Sequence, residues 1–140
     1  VEIKQSQTKP PPRFTEATLL SAMEGAGKLV EDEELREAMS EKGLGTPATR
    51  AAIIEGLINE EYIHRHGKEL QATAKAFSLM ELLNGLQVPE LTRPELTGDW
   101  EFQLRQVQRK EITRPGFMKG IEELTRRIVD AANRRQFPLV

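Results

Sequence analysis

The segment that most constrains the fold is Gly43-Leu44-Gly45-Thr46-Pro47, because it separates one predicted helix from the next. Two glycines within three residues let the backbone turn sharply and approach a neighbour closely. Thr46 is a favourable N-cap residue, and Pro47 then occupies the first helical position, where its missing N–H is not needed. We therefore predict a helix that begins at Thr46 and runs to about Asn59.

The predicted helix has two different faces. The residues expected to face a core follow helical spacing: Pro47, Ala51, Ile54 and Ile58. The residues on the opposite face are all small: Ala48, Thr49, Ala52 and Gly56. A smooth face at a helix N-terminus suits a molecule pressed close to it, and the free N–H groups there attract anions such as phosphate. The alternative is a capped helix that packs against another helix.

Composition limits the classes of function. The chain has 140 residues, 38% hydrophobic and 30% charged, which is typical of one soluble globular domain. Its net charge of −2 provides no general attraction for nucleic acid, so any DNA contact would depend on local patches. It contains no cysteine and two neighbouring histidines, so we expect no metal ligands. With no apolar run of membrane-spanning length and no signal peptide, we expect a cytoplasmic protein without membrane contact.

The remaining elements are mostly helical. A first helix is predicted after the cap Thr15, and a second, with an acidic first turn, from Asp32 to Lys42. After the central helix, the segment from Tyr62 to Gln71 predicts a β-hairpin with a two-residue turn that contains Gly67. Further helices are expected after the caps Thr73 and Thr97 and from about Pro115; the last has a regular apolar stripe, Phe117, Ile121, Leu124, Ile128 and Ala131.

The element order predicts a mainly α fold. Three helices followed by a hairpin resemble a winged-helix domain, with Thr46–Asn59 in the position of the recognition helix, the hairpin as the wing and additional C-terminal helices. We expect residues 1–13, a polar lead-in with three consecutive prolines, to connect to a preceding domain, and residues 14–140 to form one helical DNA-binding domain. A fold alone does not fix a function.

Four segments together identify a family. From about Thr8 to Ile128, the chain resembles type IA DNA topoisomerases, in the form of the topoisomerase III branch. The segments that carry the resemblance occur in the same order as in that family: Lys9-Pro10-Pro11-Pro12-Arg13-Phe14-Thr15-Glu16-Ala17-Thr18-Leu19, Gly43-Leu44-Gly45-Thr46-Pro47-Ala48-Thr49-Arg50-Ala51, Glu61-Tyr62-Ile63-His64-Arg65 and Leu96-Thr97-Gly98-Asp99-Trp100-Glu101.

The resemblance implies a parent enzyme of the isomerase class. Such an enzyme cuts one DNA strand with a tyrosine nucleophile, needs magnesium ions held by acidic residues, and relaxes or decatenates DNA without ATP. The only tyrosine here, Tyr62, lacks the family's nucleophile motif, so we expect no catalytic residue, no metal ligand and no cofactor in this chain. The chain, which begins at Val1, is then an inactive piece of the enzyme whose partners are DNA, mainly single-stranded, and the remaining domains.

The resemblance also implies which residues bind DNA. Gly45, Thr46, Ala48 and Thr49 would meet the phosphates of a single strand through backbone N–H groups and hydroxyls. Arg50 would add a positive charge, or else form a surface salt bridge with Glu31, Glu33 or Glu34. Lys9 and Arg13 would also lie near the strand. The basic hairpin tip would contact phosphates or form a solvated turn: His64, Arg65, His66 and Lys68.

Two other functions compete with this interpretation. One is a free-standing winged-helix transcription regulator that binds duplex DNA. The small, uncharged outer face of the central helix and the acidic net charge disfavour it, because base edges are usually read by Arg, Lys, Asn or Gln. The other is a protein-interaction module, in which the face that carries Ala52 and Gly56 packs on a partner helix and nucleic acid does not bind.

Overall fold

The computed structural model describes residues 7–40 and 43–134. The expectations for the first six residues and for the end of the second helix at Lys42 lie outside the described residues. The described part contains six α-helices and one antiparallel pair of strands, which confirms a mainly α fold with one hairpin. Residues 7–14 have no regular secondary structure, and the division at residue 13 stays a prediction.

The helices and strands follow the predicted order. They are α1 (Glu16–Glu24), α2 (Glu33–Met39), α3 (Arg50–Asn59), β1 (Ile63–His66), β2 (Glu69–Ala72), α4 (Ala74–Gly85), α5 (Glu95–Gln108) and α6 (Arg114–Arg134). Two short 3₁₀ helices, Ala26–Leu29 and Pro89–Leu91, lie between them.

Side-chain caps explain where several helices begin. The Thr15 hydroxyl accepts from the Thr18 N–H at 3.2 Å, and the Thr18 hydroxyl accepts from the Thr15 N–H at 2.8 Å, so both ends of a capping box are present. Asp32 caps α2 by accepting from the Leu35 N–H at 3.0 Å. Thr73 caps α4, as predicted. The prediction for α5 was wrong, because this helix begins at Glu95, directly after Pro94, and not at Thr97.

The α3 helix begins later than its sequence predicts. Pro47, Ala48 and Thr49 form a turn, and regular helix starts at Arg50. Ile54 is buried and Ile58 is half-buried, as expected, but Pro47 and Ala51 are exposed, so that part of the core prediction was wrong. The reason is that α3 lies at the surface and packs against α1 and β1 along one narrow stripe.

The most buried residues lie between α2 and the neighbouring elements. Ala26, Val30 and Met39 form the buried cluster, and α2 packs along α5. The two helices meet closely at Gly98, where a Cβ would lie 3.2 Å from the sulfur of Met39.

The hairpin is attached to the start of α1. In its register Ile63 pairs with Ala72 and His66 with Glu69, which leaves Gly67 and Lys68 as the two-residue turn. Gly67 has a φ of +62°, which glycine adopts easily. On its other side, β2 receives Phe14, whose carbonyl accepts from the Leu70 N–H at 2.7 Å. The predicted hairpin is therefore confirmed.

The helices α4 and α6 are both only partly buried. The predicted stripe of α6 is confirmed, because each of its members is half-buried: Phe117, Ile121, Leu124, Ile128 and Ala131. Neither helix has a fully buried residue, and α4 leaves Phe77 63% and Met80 43% exposed. None of the helices in the described part of the chain has the length and apolarity to cross a membrane.

Candidate nucleic-acid interface

The loop before α3, residues 43–49, is anchored to the ends of two other helices. The Gly43 N–H donates to the Met39 carbonyl at 3.0 Å, and the Leu44 N–H donates to the Met23 carbonyl at 2.8 Å. Gly43 has a φ of +64°, and a Cβ there would lie 2.5 Å from the carbonyl oxygen of Glu24. Only glycine fits this position, because both the backbone conformation and the space exclude a side chain.

Two threonines close the turn that leads into α3. The Thr46 N–H donates to the Thr49 hydroxyl at 2.9 Å, and the two hydroxyl oxygens are 3.0 Å apart. The N–H groups of Thr49 and Arg50 both donate to the Thr46 carbonyl at 3.0 Å. The same contacts join Thr15 and Thr18 at the start of α1. Thr46 therefore occupies the position of a capping residue, although regular helix begins only at Arg50.

Two backbone N–H groups of this loop differ from the others. Among the described residues, none accepts a hydrogen bond from the N–H of Gly45 or of Ala48. Gly45, Thr46, Ala48 and Thr49 are all exposed, so the structure brings these four predicted contact residues together on one surface. Unpaired N–H groups and hydroxyls at the start of a helix are suitable donors for phosphate oxygens.

Arg50 lies beneath this surface. Its side chain is only 7% exposed, its Nε donates to the Leu44 carbonyl at 3.0 Å, and its Nη2 donates to the Gly45 carbonyl at 3.3 Å. Both sequence interpretations, direct contact with DNA and a surface salt bridge with Glu31, Glu33 or Glu34, placed the guanidinium on the outside. In the structure the side chain folds back under its own loop, and its contact with DNA stays a prediction.

A second arginine makes the same contacts at the start of α2. Arg36 donates from Nε to the Val30 carbonyl at 2.8 Å and from Nη2 to the Glu31 carbonyl at 2.9 Å. Each arginine thus binds the carbonyls six and five residues before it. Sequence reasoning missed this contact, but the signal was present: each arginine stands four residues after a good N-cap residue, Asp32 or Thr46.

The two loops differ sharply in charge. Four acidic residues surround the start of α2: Glu31, Asp32, Glu33 and Glu34. The corresponding residues before α3, Gly45, Thr46, Pro47 and Ala48, carry no charge. Acidic side chains repel an anion, so of these two loops the one before α3 is the better match for a phosphate.

The hairpin presents a second group of basic residues. Arg65 is ion-paired with Glu16 of α1 and with Glu55 of α3, and the bond from Arg65 lowers the pKa of Glu16. Lys68 is exposed at the turn, and His64 and His66 are exposed on β1. Lys9 and Arg13 are exposed in the segment that reaches the hairpin at Phe14. The predicted residues therefore form two groups, one at each end of α1.

Tyr62 lies at the base of the hairpin. It is half-buried, and the Nζ of Lys75 lies 4.4 Å from the centroid of its ring. Its backbone joins two helices to the hairpin, because its N–H donates to the Leu57 carbonyl and its carbonyl accepts from the Thr73 N–H. These contacts describe a structural residue. No group of three or more acidic or histidine side chains in the described ranges is placed to hold a metal ion.

Comparison with known proteins gives one consistent family. A family model described as DNA topoisomerase matches residues 1–119. The chain is 37% identical over 124 residues to DNA topoisomerase 3 of Haemophilus influenzae, which covers 88% of this chain and 18% of that relative. It is 38% identical over 130 residues to that of Vibrio cholerae (92% and 20%) and 41% identical over 127 residues to that of Bacillus cereus (88% and 17%). The chain thus spans about one fifth of the length of these relatives.

Proposed function

Because this chain belongs to the type IA DNA topoisomerase family, we propose that it is part of a topoisomerase III-like enzyme that cleaves and passes single strands without ATP. Its part is to bind the single-stranded segment that leads to the active site. The tyrosine nucleophile and the acidic residues that hold Mg²⁺ belong to other domains of the parent enzyme, which acts in the cytoplasm. These domains and DNA are its partners.

The observation that carries this proposal is the exposed, uncharged surface before α3. Gly45 and Ala48 offer two N–H groups that no described residue binds, and Thr46 and Thr49 offer hydroxyls beside them. The small side chains let a sugar-phosphate backbone approach the protein closely. The acidic loop before α2 has the same arginine–carbonyl contact, so this contact does not require an uncharged loop. The absence of charge is specific to the loop before α3.

The hairpin takes the role of a wing in this proposal. With α1, α2 and α3 before it, the order of elements matches a winged-helix domain. Lys68, Lys9 and Arg13 then add positive charge at the other end of α1. We assign Arg65 a smaller contribution to DNA attraction than Lys68, because two carboxylates already pair with the Arg65 guanidinium.

A regulator that reads duplex DNA is a poorer match to the same surface. The exposed residues in the first turn of α3 include Ala51 and Ala52, which have no group that can hydrogen bond to a base edge. Arg50, the one residue of this turn with donors for a base, is buried and directs its Nε and Nη2 to loop carbonyls.

The test is binding of the chain to a fluorescent single-stranded oligonucleotide and to the matching duplex across a salt series. Single-strand preference that weakens as salt rises is the expected result. Thr49→Val should weaken binding, because it removes a hydroxyl from the surface without changing the size of the side chain. The matched control is Thr18→Val, since the Thr18 hydroxyl makes the same contacts with Thr15.

Three results would count against the proposal. Tighter binding to duplex with dependence on its sequence would support the regulator, and no binding to either oligonucleotide would support a protein-interaction module. Equal losses from Thr49→Val and Thr18→Val would show that the loop before α3 has no special role.

A further inference from the structure

We propose that Arg50 is a positioning residue that turns the Gly45 N–H outward, toward a phosphate oxygen of the bound strand. The inference rests on the proposed function for its ligand and on the loop geometry for its mechanism. It assigns to Arg50 a role in binding without contact with DNA.

The planarity of the peptide bond supplies the mechanism. The Leu44 carbonyl and the Gly45 N–H belong to one peptide unit, and the described part of the chain contains no cis peptide bond. In a trans peptide the C=O and the N–H point in opposite directions. Arg50 Nε holds the Leu44 carbonyl on the inner side of the loop at 3.0 Å, so the Gly45 N–H must point to the outer side, where none of the described residues accepts from it.

The next peptide unit obeys the same geometry. Arg50 Nη2 holds the Gly45 carbonyl, and the N–H of that unit, from Thr46, points the other way and donates to the Thr49 hydroxyl. The planar guanidinium thus fixes two consecutive peptide units with two of its donors. A lysine at this position has the charge but a single nitrogen at the end of a flexible chain, and it cannot reproduce both bonds in one fixed geometry.

Glycine makes this control necessary. Gly45 has a φ of +65°, and without a side chain its flanking peptide units rotate more freely than those of any other residue. The loop therefore needs an external contact to hold its N–H in one direction. Arg50 provides it from below, while the outer surface stays open for the strand.

The experiment compares Arg50→Lys and Arg50→Met with Arg36→Met. Arg36 is the matched control because it makes the same pair of bonds to the carbonyls of Val30 and Glu31, in the loop where no strand is proposed to bind. For each variant we would measure unfolding by urea, the amide NMR signals and hydrogen exchange of Gly45 and Thr46 without DNA, and the affinity for a single-stranded oligonucleotide.

We expect both Arg50 variants to shift the amide signals of Gly45 and Thr46 and to lose about tenfold in single-strand affinity, the value of one hydrogen bond to a charged group. Arg50→Lys should lose nearly as much as Arg50→Met, since charge alone does not orient the loop. Arg36→Met should lower the urea midpoint and leave the affinity unchanged.

Three results would overturn the proposal. The first is an unchanged Gly45 amide signal in Arg50→Met, and the second is a shifted signal with full affinity. The third is an equal loss of affinity in Arg36→Met, which would assign the effect to stability. If the unsubstituted chain bound no single strand, the proposed function would fail instead, and the Gly45 signal would still decide whether Arg50 orients the loop.

Discussion

Arg65 of β1 donates from Nη2 to the Oε2 of Glu55 in α3 at 2.7 Å, while its Nε contacts Glu16 of α1. One arginine therefore links the hairpin to two helices. The bonds to both carboxylates raise the pKa of Arg65 and stabilise its charged form. Because these carboxylates offset its charge, we expect Lys68 to supply most of the proposed attraction of the hairpin to DNA.

Lys68→Gln should reduce single-strand affinity and its dependence on salt. A lysine that neutralises one phosphate contributes about 0.7 to the slope of log affinity against log salt for single strands, and this contribution should disappear. The measurement is fluorescence anisotropy at several salt concentrations. Lys119→Gln is the control, because Lys119 is exposed on α6 and the change in net charge is the same. Equal slopes for the two variants would contradict the role of Lys68.

Gly43→Ala and Gly120→Ala should change stability in opposite directions. At Gly43 the φ of +64° and the carbonyls of Met23 and Glu24 oppose a methyl group, so we expect a loss of about 1–3 kcal/mol. At Gly120, inside α6, a Cβ has nothing within 4 Å, so alanine should stabilise by about 0.5–1 kcal/mol. Urea denaturation measures both values. A Gly43→Ala variant as stable as the unsubstituted chain would show that the loop does not need this tight turn.

Met39→Ala should be strongly destabilising. Met39 is fully buried and contacts Gly98 where α2 packs on α5, so the truncation leaves a cavity and should cost about 2–5 kcal/mol. Met118, with 43% of its surface exposed on α6, is the control and should cost far less. Thermal unfolding followed by circular dichroism would compare them. Similar losses of stability at Met39 and Met118 would mean that the packing of α2 on α5 does not form the main core.

Acid should remove the stabilisation that comes from Glu90. A hydrogen bond from its own backbone N–H, together with Arg127, holds the pKa of Glu90 below the ordinary 4.5. A carboxylate whose pKa is lowered by folding stabilises the fold at any pH above its pKa in the unfolded chain. This contribution is lost as the pH falls through its pKa in the folded chain.

The partner of Glu90 allows a direct test of this pH dependence. Arg127→Gln should lower the urea midpoint at pH 7, and its difference from the unsubstituted chain should shrink as the pH falls below about 4.5. Arg126→Gln, at the neighbouring exposed position, should have little effect at any pH. A difference that stays constant with pH would show that the ion pair does not contribute.

Local signals allowed much of the fold to be predicted. The caps at Thr15 and Thr73 depend on residues only three positions away, so the sequence displays them directly. The stripe from Phe117 to Ala131 was visible for a similar reason, because one long helix repeats a single spacing. The hairpin turn at Gly67 is also local.

Features that depend on distant contacts could not be predicted in this way. Arg50 is buried because the Met23 carbonyl holds Leu44, which lies 21 positions further along the chain, and places the loop carbonyls above the guanidinium. The exposure of Ala51 follows from the position of α3 at the surface. The four small or hydroxyl residues of the proposed strand surface were predictable as a set, but the orientation of their N–H groups was not.

The contacts at the two ends of α1 determine the spacing of the proposed binding surface. Its first turn contacts the hairpin through Thr15 and Glu16, and its last residues contact the loop before α3 through Met23. A helix of nine residues has a length of about 13 Å and resists both stretching and bending. The hairpin and the loop should therefore keep a constant separation when a strand binds as proposed.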